Sequence, residues 1–180
     1  IVHRLVGSEM CIRDSYEAIL YEIEDNILTI TLNRPEKLNA FNFNMQSDLI
    51  DAIDKANNDD EVKAIIVTGA GRGYCAGADL SAGKDTFNMD KRSDRKGAIS
   101  DNGDIDWSHS GVRDGGGRVT LKMFECLKPI ISACNGPAVG VGITMQLAMD
   151  IRLASDDAKY GFVFARRGLV PEAVSYTHLR

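Results

Sequence analysis

Apolar and polar positions alternate in two short stretches in the first fifth of the sequence. They are residues 16–22 (YEAILYE) and 26–32 (NILTITL), and both are rich in β-branched or aromatic side chains. Alternation with a period of two is typical of half-buried strands, and Asp25-Asn26 between them is a turn sequence. The pattern therefore predicts a β-hairpin.

A helix and further strands are predicted after the hairpin. Asn42 or Asn44 can cap a helix to about Asn57, because apolar residues recur along this stretch at helical spacing. The remaining predicted elements are strands at 62–68, 129–133 and 150–155 and a helix at 143–149. The order of strand, strand and helix repeats, which predicts an α/β fold of stacked ββα turns.

Residues 81–118 interrupt this pattern. The stretch is rich in Asp, Ser, Gly, Lys and Arg and shows little periodicity before Val119. A polar run of this length inside a domain is typical of a lid, a binding loop or disorder. Its only histidine, His109, is therefore interpreted as a solvated loop residue.

The two ends of the sequence differ from the rest. Residues 10–15 and 174–178 can be encoded by an inverted pair of strings that resembles sequencing-adaptor DNA, and residues 5–9 by the flank of such a string. These stretches lie in the two terminal segments, residues 1–15 and 174–180. We expect both segments to be non-native tails that contribute nothing to the fold. The domain then runs from residue 16 to residue 173, and the natural chain is cut after Ala173.

Composition narrows the possible functions. The 180 residues are 44% hydrophobic and 26% charged, with a formal net charge of −5, which provides no basic surface for nucleic acid or an anionic membrane. No apolar run reaches the roughly 18 residues that a membrane span needs. The four cysteines lack CxxC spacing, which favours reduced thiols in a cytoplasmic protein without disulfides or a metal site.

Two glycine-rich turns carry the candidate chemistry. They are residues 73–80 (GYCAGADL) and 135–142 (NGPAVGVG), and each connects a predicted strand toward a helix. The first N–H groups of a helix lack partners within it, and small residues let a ligand oxygen approach them. Two such turns side by side would aim two N–H donors at one oxyanion. Taken singly, each is also what a tight strand-to-helix connection needs.

Four motifs in this order resemble those of the crotonase superfamily, the enoyl-CoA hydratases and isomerases. They are TLNRPEKLNA at residues 31–40, CAGADL at 75–80, Lys128-Pro129 with residues 135–142, and GLVPE at 168–172. The resemblance implies a spiral of ββα turns whose C-terminal helices are missing here, and a homotrimer or hexamer at full length. It also implies an acyl-CoA substrate and no separate cofactor.

The resemblance also implies a site. The N–H groups of Ala76 and Val141 would form the oxyanion hole for the thioester carbonyl. The positions that match the coenzyme A surface are Lys37, Leu38, Ala40, Ala76, Ala78, Asp79, Leu80 and Gly140. Lys37 would meet a phosphate or be solvated, and Asp79 suits a helix cap better than a catalyst. Cys75, with no histidine partner, is expected to be a packing residue.

The sequence departs from the family at the hydration carboxylates. The two glutamates typical of hydratases fall on Thr144 and Phe164, and neither side chain can act as a base. Glu172 stands where isomerase-like members carry an acid, so it is expected to move a proton between the α- and γ-carbons. The alternatives are a 2-enoyl-CoA hydratase of fatty-acid β-oxidation and a non-catalytic CoA-ester-binding member.

Overall fold

The computed structural model describes residues 16–86, 88, 96–107, 109–170 and 173. The two expected non-native tails, 1–15 and 174–180, lie outside the described residues. Within this part of the chain, no helix is both long enough and apolar enough to cross a bilayer.

A five-stranded sheet forms one layer of the fold. Its strands are β1 (Ile19–Glu24), β2 (Ile27–Leu32), β3 (Ala64–Gly69), β4 (Ile130–Cys134) and β6 (Ile151–Ala154), in the order β1-β2-β3-β4-β6. β1 and β2 form the predicted antiparallel hairpin, and the remaining pairs are parallel. Asp25 and Asn26 both have positive φ values, of 49° and 64°, as the tight turn between twisted strands requires.

A second, smaller layer consists of short paired segments that recur along the chain. β5 (Ala138–Val139) pairs in parallel with β7 (Tyr160–Gly161), and isolated bridges join Cys75 to Ala138 and Phe41 to Ala78. A sheet strand, a short second-layer segment and a helical segment therefore follow one another repeatedly. This arrangement confirms the predicted α/β fold of ββα turns.

Three α-helices accompany the strands in the described part of the chain. α1 (Phe43–Asn58) begins at the predicted cap, where the Asn42 side chain accepts a hydrogen bond from the N–H of Met45 at 2.9 Å. α2 spans Gly115–Glu125, and α3 spans Val141–Thr144 before a 3-10 turn at Met145–Ala148. The helix predicted at 143–149 thus starts two residues earlier.

Helix α2 begins inside the polar stretch at 81–118. Its first three residues are all glycine, which disfavours helix by about 1 kcal/mol each, and this explains why the pattern did not reveal it. The Asp114 side chain compensates by accepting the Gly117 N–H at 2.7 Å. The polar stretch therefore supplies a structured helix start and not only a loop.

The core lies between the sheet and the helices. α1 and α2 pack against each other, and α1 also contacts β1 and β2. The largest fully buried side chains include Leu28, Ile30 and Ile65 from the strands and Leu49 and Ile53 from α1. Burying each such side chain is worth roughly 1.5–3 kcal/mol, so this core fixes where the strand ends and their turns lie.

Candidate active site

The two glycine-rich turns lie side by side. The N–H of Cys75 donates to the carbonyl of Pro137 at 3.2 Å, and the N–H of Val139 donates to the carbonyl of Cys75 at 2.9 Å. Gly77 has a φ of 96°, and a Cβ added to it would lie 3.0 Å from the carbonyl oxygen of Val139. Glycine is therefore required at this crossing.

The second turn presents the N–H of Val141. Gly140 has a φ of 54° and starts α3, and its carbonyl accepts the N–H groups of Ile143 and Thr144, both at 3.0 Å. Val141 is the first residue of this helix, where the helix itself offers no acceptor. Among the described residues, nothing else accepts a hydrogen bond from its N–H.

The expected donor of the first turn, Ala76, is already engaged. Its N–H donates to the carbonyl oxygen of Leu38 at 3.0 Å. This hydrogen bond contradicts the role expected for Ala76, because a backbone N–H that is held by a protein carbonyl is not free for a substrate oxygen. The sequence alone could not separate Ala76 from the other small residues of the turn.

Ala78, two residues further, has the free amide. The N–H of Phe41 donates to Gly77 at 2.7 Å, and the N–H of Asp79 donates to Phe41 at 2.8 Å. In this parallel bridge the residue between the two bonded positions turns its own N–H to the opposite side. No acceptor for the Ala78 N–H exists in the described part of the chain.

Ala78 and Val141 both line the same two cavities. One has a volume of about 490 Å³ and is also bordered by the start of α2. The other, of about 110 Å³, is bordered by Leu80, Phe164 and Leu169 among others. The two residues with unpaired backbone N–H groups therefore border the same space, which is large enough for a ligand.

Polar groups cluster beside the first turn. The guanidinium of Arg34 lies 2.8 Å from the Asp79 carboxylate, and the ammonium of Lys37 lies 3.3 Å from the same oxygen and 2.8 Å from the Ser81 hydroxyl. Hydrogen bonds from Ser81, then from Arg34, hold the pKa of Asp79 well below its ordinary range. The Asp79 side chain also caps the 3-10 turn at Leu80–Asp85, accepting the Ser81 N–H at 3.0 Å, as the sequence suggested.

The other positions matched to the coenzyme A surface have mixed environments. Leu38 adopts a left-handed conformation with a φ of 51°, and its carbonyl is the acceptor for Ala76. The Ala40 carbonyl accepts a hydrogen bond from the Arg34 side chain, whereas Leu80 is half-exposed at the rim of the smaller cavity. These contacts shape the turn, and its coenzyme A role stays a prediction.

The positions of the two typical hydratase glutamates carry no acid. Thr144 is buried on α3, and its hydroxyl has no hydrogen-bond partner among the described residues. Phe164 is 6% exposed and borders the smaller cavity. Neither side chain titrates as a carboxylate would.

Glu172 lies outside the described residues, but its neighbour is informative. Ala173 is fully buried, and its Cβ would be 3.0 Å from a Cβ added to Gly116. The same added atom would lie 2.7 Å from the Cγ2 of Val141. The chain therefore returns to the edge of the large cavity at residue 173.

Cys75 is buried and unsuited to nucleophilic chemistry. Burial raises the pKa of its thiol to about 11, which keeps the sulfur protonated near neutral pH. His109 likewise has a local role, because its Nδ1 accepts the Gly111 N–H at 3.1 Å. Over the described residues, no group of three potential metal ligands exists.

Sequence reasoning missed part of the large cavity. Gln46 from α1 and Asp114, Gly115 and Gly116 at the start of α2 all line it. The available signal was an aspartate followed by small residues just before the periodicity that starts at Val119, which is a helix-start pattern.

Comparison with known proteins identifies the family of the chain. The profile of the family described as enoyl-CoA hydratase/isomerase matches residues 22–180. The chain therefore belongs to the enoyl-CoA hydratase/isomerase family, whose members share the crotonase fold.

Relatives within the family carry different activities in their names. An enoyl-CoA hydratase of Alternaria alternata is 39% identical over 155 residues, which are 86% of this chain and 46% of that protein. The 1,2-epoxyphenylacetyl-CoA isomerase of Escherichia coli is 36% identical over 156 residues, which are 87% of this chain and 54% of that protein. The chain thus spans about half the length of these relatives.

Solved structures show the same fold. An enoyl-CoA hydratase/isomerase from Pseudoalteromonas atlantica superposes with a TM-score of 0.69 at 34% identity, over 91% of this chain and 56% of that one. A protein described as a putative enoyl-CoA hydratase from Streptomyces coelicolor superposes with a TM-score of 0.72 at 28% identity, over 99% and 60% of the two chains.

Proposed function

We propose that the full-length protein binds an acyl-CoA thioester and stabilises its enolate with the backbone N–H groups of Ala78 and Val141. The observation that carries this proposal is that the two residues with unpaired backbone N–H groups line the same two cavities. Their orientation is fixed by the bridge to Phe41 and by the start of α3, so no reorganisation is needed when charge develops. Losing one such donor typically costs about 10²–10³ in rate.

The reaction proposed is migration of a double bond from the 3-position to the 2-position of the acyl group. Glu172 takes a proton from the α-carbon, the thioester oxygen carries the resulting dienolate charge, and the same proton returns at the γ-carbon. One acid/base suffices for this step, in keeping with Thr144 and Phe164 at the positions of the hydratase acids. Ala173 is fully buried beside Gly116, which lines the large cavity, and this supports the choice of Glu172, the residue next to it in sequence, as the acid/base.

The test compares two substrates on the full-length enzyme. A 3-enoyl-CoA should be converted to the conjugated 2-enoyl ester, which is followed by its ultraviolet absorbance. Glu172→Gln should reduce this rate by at least about a hundredfold while the Kd of saturated hexanoyl-CoA stays within about twofold. Full turnover by Glu172→Gln would remove Glu172 from the mechanism.

A 2-enoyl-CoA hydratase is the second candidate, and the names of the hydratase relatives favour it. Crotonyl-CoA offered alone distinguishes the two functions, because only a hydratase adds water and destroys the conjugated absorbance. Hydration without isomerisation would make this second candidate the function. Tight binding of both esters without turnover would instead indicate a non-catalytic member.

A further inference from the structure

The large cavity is also lined by polar groups that take no part in the proposed binding of the thioester oxygen. Besides Ala78 and Val141, its lining includes Gln46, Thr86 and the first residues of α2. An enolate needs only the two backbone donors, so these additional groups require another explanation.

Gln46 is the most informative of them. Gln46 is only 4% exposed, yet its side-chain amide forms no hydrogen bond within the described part of the chain. A Cβ added to Gly115 would overlap its Oε1 and lie 3.2 Å from its Cδ, so a glycine at 115 leaves room for the amide at the cavity wall. Because Gln46 lines the cavity, its unpaired amide is able to bond a polar group of a ligand there.

The start of α2 adds donors beside this amide. Asp114 and its backbone hold the N–H groups of Gly117 and Arg118, at 2.7 and 3.1 Å. The N–H groups of Gly115 and Gly116 come first in this 11-residue helix, so the helix offers them no acceptor, and both residues line the cavity.

Two more side chains of the lining narrow the choice of ligand group. The Thr86 hydroxyl is buried and has no hydrogen-bond partner among the described residues. The Asp114 carboxylate lines the same cavity and is an acceptor only. An anionic group would be repelled there, and a purely hydrocarbon chain would leave the amide of Gln46 unpaired.

We propose that this part of the cavity, Gln46 with Thr86 and the start of α2, binds a hydroxyl group carried on the acyl chain of the substrate. A hydroxyl accepts from an amide or backbone N–H and donates to an amide or carboxylate oxygen, which matches the mixed lining. The inference rests on the proposed function, since it presupposes a thioester at Ala78 and Val141. It adds that the substrate class is hydroxylated acyl-CoA esters.

Binding of unreactive esters to the full-length enzyme tests this specificity. Isothermal titration calorimetry compares hexanoyl-CoA with its 4-, 5- and 6-hydroxy derivatives, none of which carries a double bond to move. At least one hydroxy ester should bind about tenfold more tightly than hexanoyl-CoA, because one satisfied hydrogen bond is worth about a factor of ten. Gln46→Met keeps the side-chain length and should abolish this difference.

Ser47→Ala is the matched control, because it removes an exposed polar atom from the adjacent position of α1 and should preserve the difference. Equal affinity of wild-type enzyme for all four esters would overturn the inference and leave the proposed function standing. An unchanged preference in a folded Gln46→Met variant would also overturn it. If no ester binds, the proposed function itself fails. The comparison of the four esters on wild-type enzyme tests the inference even if Gln46→Met does not fold.

Discussion

Adding a single methyl group at Gly142 should disable the site while leaving both proposed donors chemically intact. Gly142 is the second residue of α3 and packs directly on the first turn. A Cβ there would overlap the carbonyl oxygen of Cys75 and lie 2.7 Å from its Cβ. Ordinary carbon–carbon contacts need about 3.5–4.0 Å, so the two turns must separate by about 1 Å.

The surrounding contacts prevent the helix from absorbing this shift. The Gln146 amide donates to the Gly142 carbonyl at 2.7 Å, and the Ser132 hydroxyl in turn donates to Gln146 at 2.9 Å, all in the buried core. Overpacking of this kind costs about 1–3 kcal/mol of folding free energy. A displacement of about 1 Å in a catalytic group can cost about a hundredfold in rate.

The assay is kcat/KM for 3-enoyl-CoA with wild-type enzyme, Gly142→Ala and the control Gly73→Ala. At Gly73 an added Cβ meets only Leu38 atoms at 3.8 to 3.9 Å, which is ordinary contact. We expect a loss of about a hundredfold for Gly142→Ala and less than about twofold for the control. A folded Gly142→Ala enzyme within about threefold of wild type would refute the argument that the spacing of the turns sets the rate.

Three further predictions concern the scaffold. The pKa of Asp79 is lowered in the folded state, so its contribution to the free energy of unfolding is complete above the unfolded pKa of about 4 and is lost as the pH falls toward the folded pKa. Between about pH 6 and about pH 3, urea unfolding should therefore show a smaller loss of unfolding free energy for Asp79→Asn than for wild type. Equal losses would contradict this. Asn39→Ala should lower the free energy of unfolding by about 2–4 kcal/mol, since the buried side chain bonds the Arg34 N–H and two carbonyls, and a change below about 1 kcal/mol would be contrary. Iodoacetamide should label partly exposed Cys126 well before buried Cys75, as read by peptide mass spectrometry; the reverse order would show that the first turn opens.

The sequence was most informative where pattern and local chemistry agree. The hairpin follows from alternation and the Asp25-Asn26 turn. Helix α1 begins directly after its cap, Asn42, because a capping side chain and an apolar helix face coincide there. Helix α2 was not predictable in this way, because its three leading glycines disfavour helix and the apolar periodicity starts only at Val119. Gln46 occupies the place that a side chain at Gly115 would need.

The choice between Ala76 and Ala78 was beyond the sequence for a related reason. Both are alanines in the same short turn, and composition says nothing about the direction of an amide. That direction is set by pairing between segments far apart in sequence. The Leu38 carbonyl accepts the Ala76 N–H, and the bridge to Phe41 directs the Ala78 N–H to the opposite side. Such pairings are visible only in three dimensions.

The most direct test of the oxyanion site is amide NMR of the full-length protein during titration with hexanoyl-CoA. If the thioester oxygen binds as proposed, the amide protons of Ala78 and Val141 shift downfield together as the complex forms, because each gains an acceptor. The Ala76 amide, already bonded to Leu38, keeps its position. A downfield shift at Ala76 with none at Ala78 or Val141 would contradict the account.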